Sequence, residues 1–322
     1  MRRHTRAMLA LLAATALVAG ACGGDDDDTA TDDASADDGS GATTAEPPPD
    51  GPPISIGAQD FGESAILAEI YRQALDGAGF EADIAEVGGF RDLLFGAFES
   101  GDVNLAPDYV ASELEFLNDF AGEATSDVDE TFEMLQPLLE ERGLVGFPPS
   151  EAVDTNAFVV TEETSEELGI TTLSDLAENG SDLVLGGFAD CEENAFCLPG
   201  LEEVYGADLS GSFTPLDAAV VGDALDSGEI DVGVITSTDG RIEENNWVLL
   251  EDDQQMLAAD NVFPVATQEV ADAYGDSLST VLDDVSAALT TDGLTELNRR
   301  YDVDREDADA IATDWLEEND LS

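Results

Sequence analysis

Apolar side chains alternate with small or polar ones over residues 54–58, ISIGA, and this period of two predicts a short strand. The period then lengthens. Ile66, Leu67, Ile70 and Leu75 fall at helical spacing between 64 and 77, and Gly77 with Gly79 ends the run before a second alternating stretch over 82–87. A second unit has the same form: the pair Gly88 and Gly89, a helix carrying Leu93, Leu94 and Phe98 up to Gly101, and an apolar strand over 103–106. The alternation returns after 154, with strands over 157–161, 183–185 and 230–235 and helices over 164–168, from 172, and over 217–226. The last stretch is helical in period, with stripes at Leu278, Val281, Leu282, Val285 and Leu289, at Leu294 and Leu297, and at Ile311, Trp315 and Leu316. Strand and helix in alternation predict an α/β fold of two lobes, with mostly parallel sheets covered by helices on both faces.

The start of the chain breaks the pattern. Arg2, Arg3 and Arg6 precede an apolar run over 7–19, then Gly20 and Ala21 stand before Cys22, which is the layout of a secretory leader over 1–21. The run is too short to cross a bilayer, since a spanning helix needs about 20 apolar residues. The stretch LVAGAC, 17–22, resembles a bacterial lipobox with Ala19 where leucine is commoner. That resemblance implies cleavage before Cys22 and a lipid on its thiol, with ordinary secretion as the alternative. Over 22–53 there is almost no bulky apolar side chain to offset the entropy of ordering, so a flexible acidic tether is expected there.

Charge narrows the chemistry. Against 74 acidic residues stand ten basic ones, all arginine, and the formal net charge is -64. Such a surface repels nucleic acid, draws in cations and stays dispersed in salt; it serves either salt tolerance or solute capture. The single histidine, His4, lies in the leader, so the chain beyond it lacks imidazole and lysine alike. General-base, Schiff-base and P-loop templates are closed, and no cofactor is expected. Asp302, Asp304 and Asp307 lack the glycine and the closing glutamate of a calcium loop, so no metal site is expected. Cys191 and Cys197, six residues apart outside the cytoplasm, are read as a disulfide, because two thiolates without further ligands make a poor zinc site.

The stretch from Ile56 to Leu114, IGAQDFGESAILAEIYRQALDGAGFEADIAEVGGFRDLLFGAFESGDVNLAPDYVASEL, together with GLEEVYG at 200–206 and SGEIDVGVITSTDGRI at 227–242, resembles the glycine betaine/choline-type substrate-binding proteins of ABC importers. The resemblance implies a type II periplasmic-binding-protein fold, with lobe 1 formed by 54–153 plus 263–322, lobe 2 by 154–262, and two crossovers as hinge. It implies a monomer outside the membrane that closes over a small solute and hands it to a membrane permease, hydrolysing nothing. Such proteins enclose a trimethylammonium group with aromatic faces. Tyr109 keeps one such aromatic, whereas Asn156, Thr236 and Asp260 stand where many betaine binders carry tyrosine. Asp260 can meet a cation directly, and Asn156, Thr236, Ser237 and Thr238 can hydrogen bond a more polar solute. Phe61 and Phe188, with Phe196, serve either as walls of the site or as core. Arg91 and Arg241 either hold a ligand carboxylate or offset neighbouring acids. A quaternary ammonium solute is the expected ligand. A polar amino-acid-like or polyamine solute is the alternative, and a carboxylate-dependent enzyme the remote one.

Overall fold

The computed structural model describes residues 51–322 apart from Asp217. The leader, Cys22 and the tether up to residue 50 lie outside them. Residues 51–53, counted with the tether for their Gly and Pro, are pinned to the fold: Tyr274 donates its hydroxyl to the Pro52 carbonyl at 2.6 Å and Asn104 donates to that of Pro53 at 2.9 Å. A proline carbonyl accepts as well as any other.

Ten strands among the described residues form two five-stranded sheets. The strands are β1 (Ile54–Ala58), β2 (Ala82–Glu86), β3 (Leu105–Tyr109), β4 (Leu144–Gly146), β5 (Asn156–Thr161), β6 (Leu185–Gly187), β7 (Phe213–Pro215), β8 (Val232–Thr236), β9 (Trp247–Leu249) and β10 (Val262–Thr267). One sheet has the order β2-β1-β3-β10-β4 and the other β7-β6-β8-β5-β9. Each is mixed. The pairs β1/β2, β1/β3, β6/β7 and β6/β8 are parallel, as strand-helix alternation requires. Strands β10 and β5 enter from the opposite sheet without a covering helix and run antiparallel to both neighbours.

Three expected strands begin later than the apolar run, β8 at Val232 and two others with a visible cause. Asn104 spends its side chain on the Ser55 N–H at 2.8 Å, and the third strand starts at Leu105. The Asp231 carboxylate takes the Val184 N–H at 2.8 Å, and β6 starts at Leu185. In both cases a side chain occupies the place of the ladder bond.

The alternation along the strands sorts the core. Ile54, Ile56, Val262 and Ala266 face one side of the first sheet and pack with Ile66, Leu67 and Ile70 of α1 (Gly62–Gly77) and with Ile311 and Trp315 of the C-terminal helix Ala308–Glu318. Phe263 and Val265 face the other side, against Leu94 of α2 (Arg91–Ser100) and Leu114 of α3 (Val110–Leu117). The second sheet divides likewise, with Phe158 and Val160 on one face and Ala157 and Val159 on the other. Each such fully buried Ile, Leu or Phe contributes about 2 kcal/mol through removal from water.

Two crossovers join the sheets, between β4 and β5 and between β9 and β10. They bond to each other: Asp154 donates its N–H to the Asp260 carbonyl at 3.0 Å, and Val262 donates to Ala152 at 2.9 Å. This short antiparallel contact places Asp154 and Asp260 side by side between the two sheets. The chain is the two-lobed α/β fold of periplasmic binding proteins.

Candidate functional site

Strand ends converge on one cavity of about 1230 Å³. Phe61 precedes α1, Phe90 precedes α2, Tyr109 ends β3, Phe188 follows β6 and Thr236 ends β8. Loops at the carboxyl ends of parallel strands are where α/β sheets place ligands, because side chains there leave the ladder and point outward. Asn156 opens β5 directly opposite Thr236 in register, so both reach the cavity from the second sheet.

Of the residues expected at the site, Phe61, Arg91, Tyr109, Asn156, Phe188, Thr236 and Asp260 line this cavity, and so do Phe196 and Arg241. Ser237 and Thr238 do not. Ser237 Oγ accepts the Thr155 N–H at 3.0 Å, and Thr238 is wholly buried between two carboxylates behind the cavity wall. One residue past the end of a strand, side chains turn back into the crossover, and the run Thr236, Ser237, Thr238 splits there.

Aromatic faces make one wall. The Phe61 ring stacks on Phe90 with centroids 6.5 Å apart and lies 6.4 Å from Tyr109. Phe90 is 64% exposed and Phe120, also on the cavity, 76%. Large aromatics held open at a concave site suit a partner that covers them. Sequence reasoning missed Phe90, although it follows the strand-end pair Gly88 and Gly89 and stands off the stripe of Leu93, Leu94 and Phe98. Gln59 was missed as well. It is 6% exposed and lines the cavity, and its Nε2 has no hydrogen-bond partner.

Both sequence-singled arginines hold acids of their own. Arg91 Nε lies 3.1 Å from each Asp108 oxygen and Nη2 2.5 Å from Oδ1, while Arg241 Nη2 lies 2.5 Å from Asp239 Oδ2. These are the geometries of the acid-offsetting reading. Arg305, with φ 61°, lines the cavity and makes no hydrogen bond or ion pair among the described residues.

Buried carboxyls form the other wall. Asp260 accepts from Ser112 N at 2.9 Å and Ser112 Oγ at 2.5 Å, and burial still pushes it up to about 6. Glu63, in the first turn of α1, accepts from Tyr109 Oη at 2.5 Å, from Thr238 Oγ1 at 2.9 Å and from Asn298 Nδ2. Burial raises Glu63 above the usual carboxylate range despite these bonds. Asp154 is raised further, by burial and then by the charge of Glu63. Tyr109 is pushed well above its ordinary value by burial and by the same Glu63, and stays protonated. Cys191 and Cys197 are bonded, closing the loop that carries Phe196 to the cavity. Among the described residues there is no group of side chains that would hold a metal ion and no helix long and apolar enough to cross a membrane.

Comparison with known proteins agrees with this architecture. A glycine-betaine-binding protein of Pseudomonas aeruginosa is 28% identical over 278 residues, covering 83% of this chain and 88% of that one. The glycine betaine-binding protein YehZ of Escherichia coli is 26% identical over 276 residues, covering 83% and 90%. A crystal structure titled glycine betaine/carnitine/choline ABC transporter superposes with a TM-score of 0.73 at 24% identity, over 83% of this chain and 99% of that one. The family model for the substrate-binding domain of ABC-type glycine betaine transport systems matches residues 52–318, and the chain belongs to that family of solute-binding, non-catalytic transport proteins.

Proposed function

We propose that this protein captures a quaternary ammonium solute of the glycine betaine and choline class and delivers it to its permease. The observation that carries the reading is the meeting of an aromatic wall, Phe61, Phe90 and Tyr109, with the buried carboxylates of Asp260 and Glu63 in one cavity. A trimethylammonium group donates no N–H bond. Aromatic faces and fixed negative charge are what attract it, at about 0.5–2 kcal/mol per well-placed ring. At the ligand's other end, the unpartnered Gln59 Nε2 and the uncommitted Arg305 supply donors for a carboxylate or hydroxyl.

On this reading the lobes, 54–153 plus 263–322 and 154–262, close about the two crossovers, and the solute is trapped between the aromatic and acidic walls. A lipid on Cys22 and the acidic tether hold a monomeric receptor outside the membrane, within reach of the permease.

Calorimetric titration against choline, glycine betaine, carnitine, polyamines and amino acids tests the class. Saturable binding of a quaternary ammonium compound is expected, with loss of about tenfold or more in affinity for Tyr109→Ala, the worth of one cation–π face. Binding of a primary amine with none of the quaternary compounds would overturn the class. Unchanged affinity in Tyr109→Ala would displace the site.

A further inference from the structure

Thr238 has one hydroxyl proton and two carboxylates to satisfy. Its Oγ1 lies 2.9 Å from Glu63 Oε2 and 2.7 Å from Asp154 Oδ1, with the threonine side chain wholly buried. If both acids were ionised, one of these close contacts would set two oxygens together with no proton between them. A carboxyl proton on the pair resolves the contact: one acid donates to Thr238 Oγ1, and Thr238 donates to the other. The proton belongs to the pair rather than to either residue.

The surroundings favour that proton. The groups acting most strongly on Glu63 and Asp154 are Thr238 beyond β8, Tyr109 from the end of β3, Asn298 from the helix Thr291–Asp302 and Asp260 from the second crossover, and none of them is cationic. Arg91 is turned to Asp108 and Arg241 to Asp239, so those two guanidinium charges are already offset, and Arg305, the other arginine of the cavity, is exposed to solvent. Burial and mutual repulsion both hold the pair above the ordinary carboxylate range.

Glu63 and Asp154 line the same cavity as the aromatic wall. Two further groups there lack partners: Asn298 Oδ1, in a residue 4% exposed, and Gln59 Nε2, in a residue 6% exposed. Buried polar atoms left open at a cavity wall point to an absent ligand. We propose that the cavity exchanges a proton for its ligand, the proton shared by Glu63 and Asp154 leaving to solvent when a fixed positive charge enters beside the aromatic wall. The exchange rests on the quaternary ammonium reading above. Its charge balances: one cation enters, one proton departs to the buffer, and the pair becomes fully ionised, Thr238 keeping its hydroxyl bond to one acid while the other turns from it to the bound charge. Affinity for the cation then rises with pH while the unliganded pair is protonated, by up to about tenfold per pH unit.

The chain is suited to show this cleanly. Beyond His4 it has no histidine and no lysine, and Cys191 and Cys197 are bonded to each other. A proton released near neutral pH therefore comes from the amino terminus, His4 or Cys22, which lie outside the described residues, or from a carboxyl raised by burial. Choline has no group that titrates there. Titration of choline chloride into the full chain at about pH 7.5, in buffers of different ionisation enthalpy, counts the protons by linkage. About one proton released per choline is expected in the unmodified protein. Asp154→Asn and Glu63→Gln each leave a lone acid without its repelling neighbour, and release falls towards zero. The unmodified protein decides the matter even if a variant fails to fold. Choline bound with the same enthalpy in every buffer overturns the exchange and leaves the ligand class standing. If neither choline nor glycine betaine binds, the class falls and the exchange with it.

Discussion

Arg91 and Asp108 form a two-pronged ion pair in which the carboxylate is wholly buried and also accepts the Tyr109 backbone N–H at 2.8 Å. The pair ties the first turn of α2 to the end of β3, the two elements that present Phe90 and Tyr109. A buried anion left without its cation is costly, so Arg91→Ala is expected to destabilise the fold by about 3–5 kcal/mol. Adding Asp108→Asn recovers part of that loss. Denaturant unfolding of the single and double variants checks it, and a shift within error for Arg91→Ala would show that the pair is solvent-screened.

Acid should stabilise this protein over a range where many proteins weaken. Glu63, Glu113 and Asp260 are buried and Asp154 half-buried, all with raised values, Asp260 to about 6, and Glu113 has no hydrogen-bond partner on either oxygen. A carboxyl whose folded value exceeds its unfolded one binds its proton more tightly in the native state. Its stabilisation is full below the unfolded value, about 4, and is lost as pH rises through the folded value. The melting temperature is expected to rise as pH falls from about 8 to about 5, by several degrees in total. Relief of surface repulsion acts in the same direction and is removed by salt, so the comparison belongs in concentrated salt. A melting temperature that falls steadily on acidification would show that these carboxyls are ionised in the fold.

Reducing the Cys191–Cys197 bond loosens the loop that sets Phe196 against both the cavity and the core around Phe263. Closing so short a loop contributes about 2 kcal/mol through the unfolded chain. Paired replacement by alanine is expected to lower stability by about that amount and to weaken choline binding, because Asn156 bonds the Phe196 carbonyl at 3.3 Å from the facing strand. Unfolding and titration of the double variant measure the two effects separately.

Arg305 offers an uncommitted guanidinium at the cavity. Its replacement by alanine is expected to weaken glycine betaine, which carries a carboxylate, by about five- to tenfold, with little change for choline, which carries none. Equal losses for the two ligands would place Arg305 in closure of the lobes, and no loss for either would leave it a solvated surface charge.

Local patterns were readable from residue order alone. Ile54 and Ile56 show their face through a period of two, and Ile66, Leu67 and Ile70 show theirs through helical spacing, because each pattern is set within one element by backbone geometry. Tyr109, Asn156 and Thr236 were singled out by the family resemblance and not by period, while the absence of histidine and lysine beyond His4 was plain from composition. The antiparallel entry of β5 and β10, the loss of Thr238 from the cavity and the exposure of Phe90 were not readable in this way. Those depend on where two crossovers carry the chain. Glu63 meets Thr238 across 175 residues and Asn298 across 235, and Asp260 meets Ser112 across 148. Periodicity assigns a side chain to a face of its own element and is silent on what another element brings there. Tertiary packing alone set the two acids around one hydroxyl and turned Arg91 to Asp108, since burial and proximity, unlike period, exist only once the chain has closed on itself.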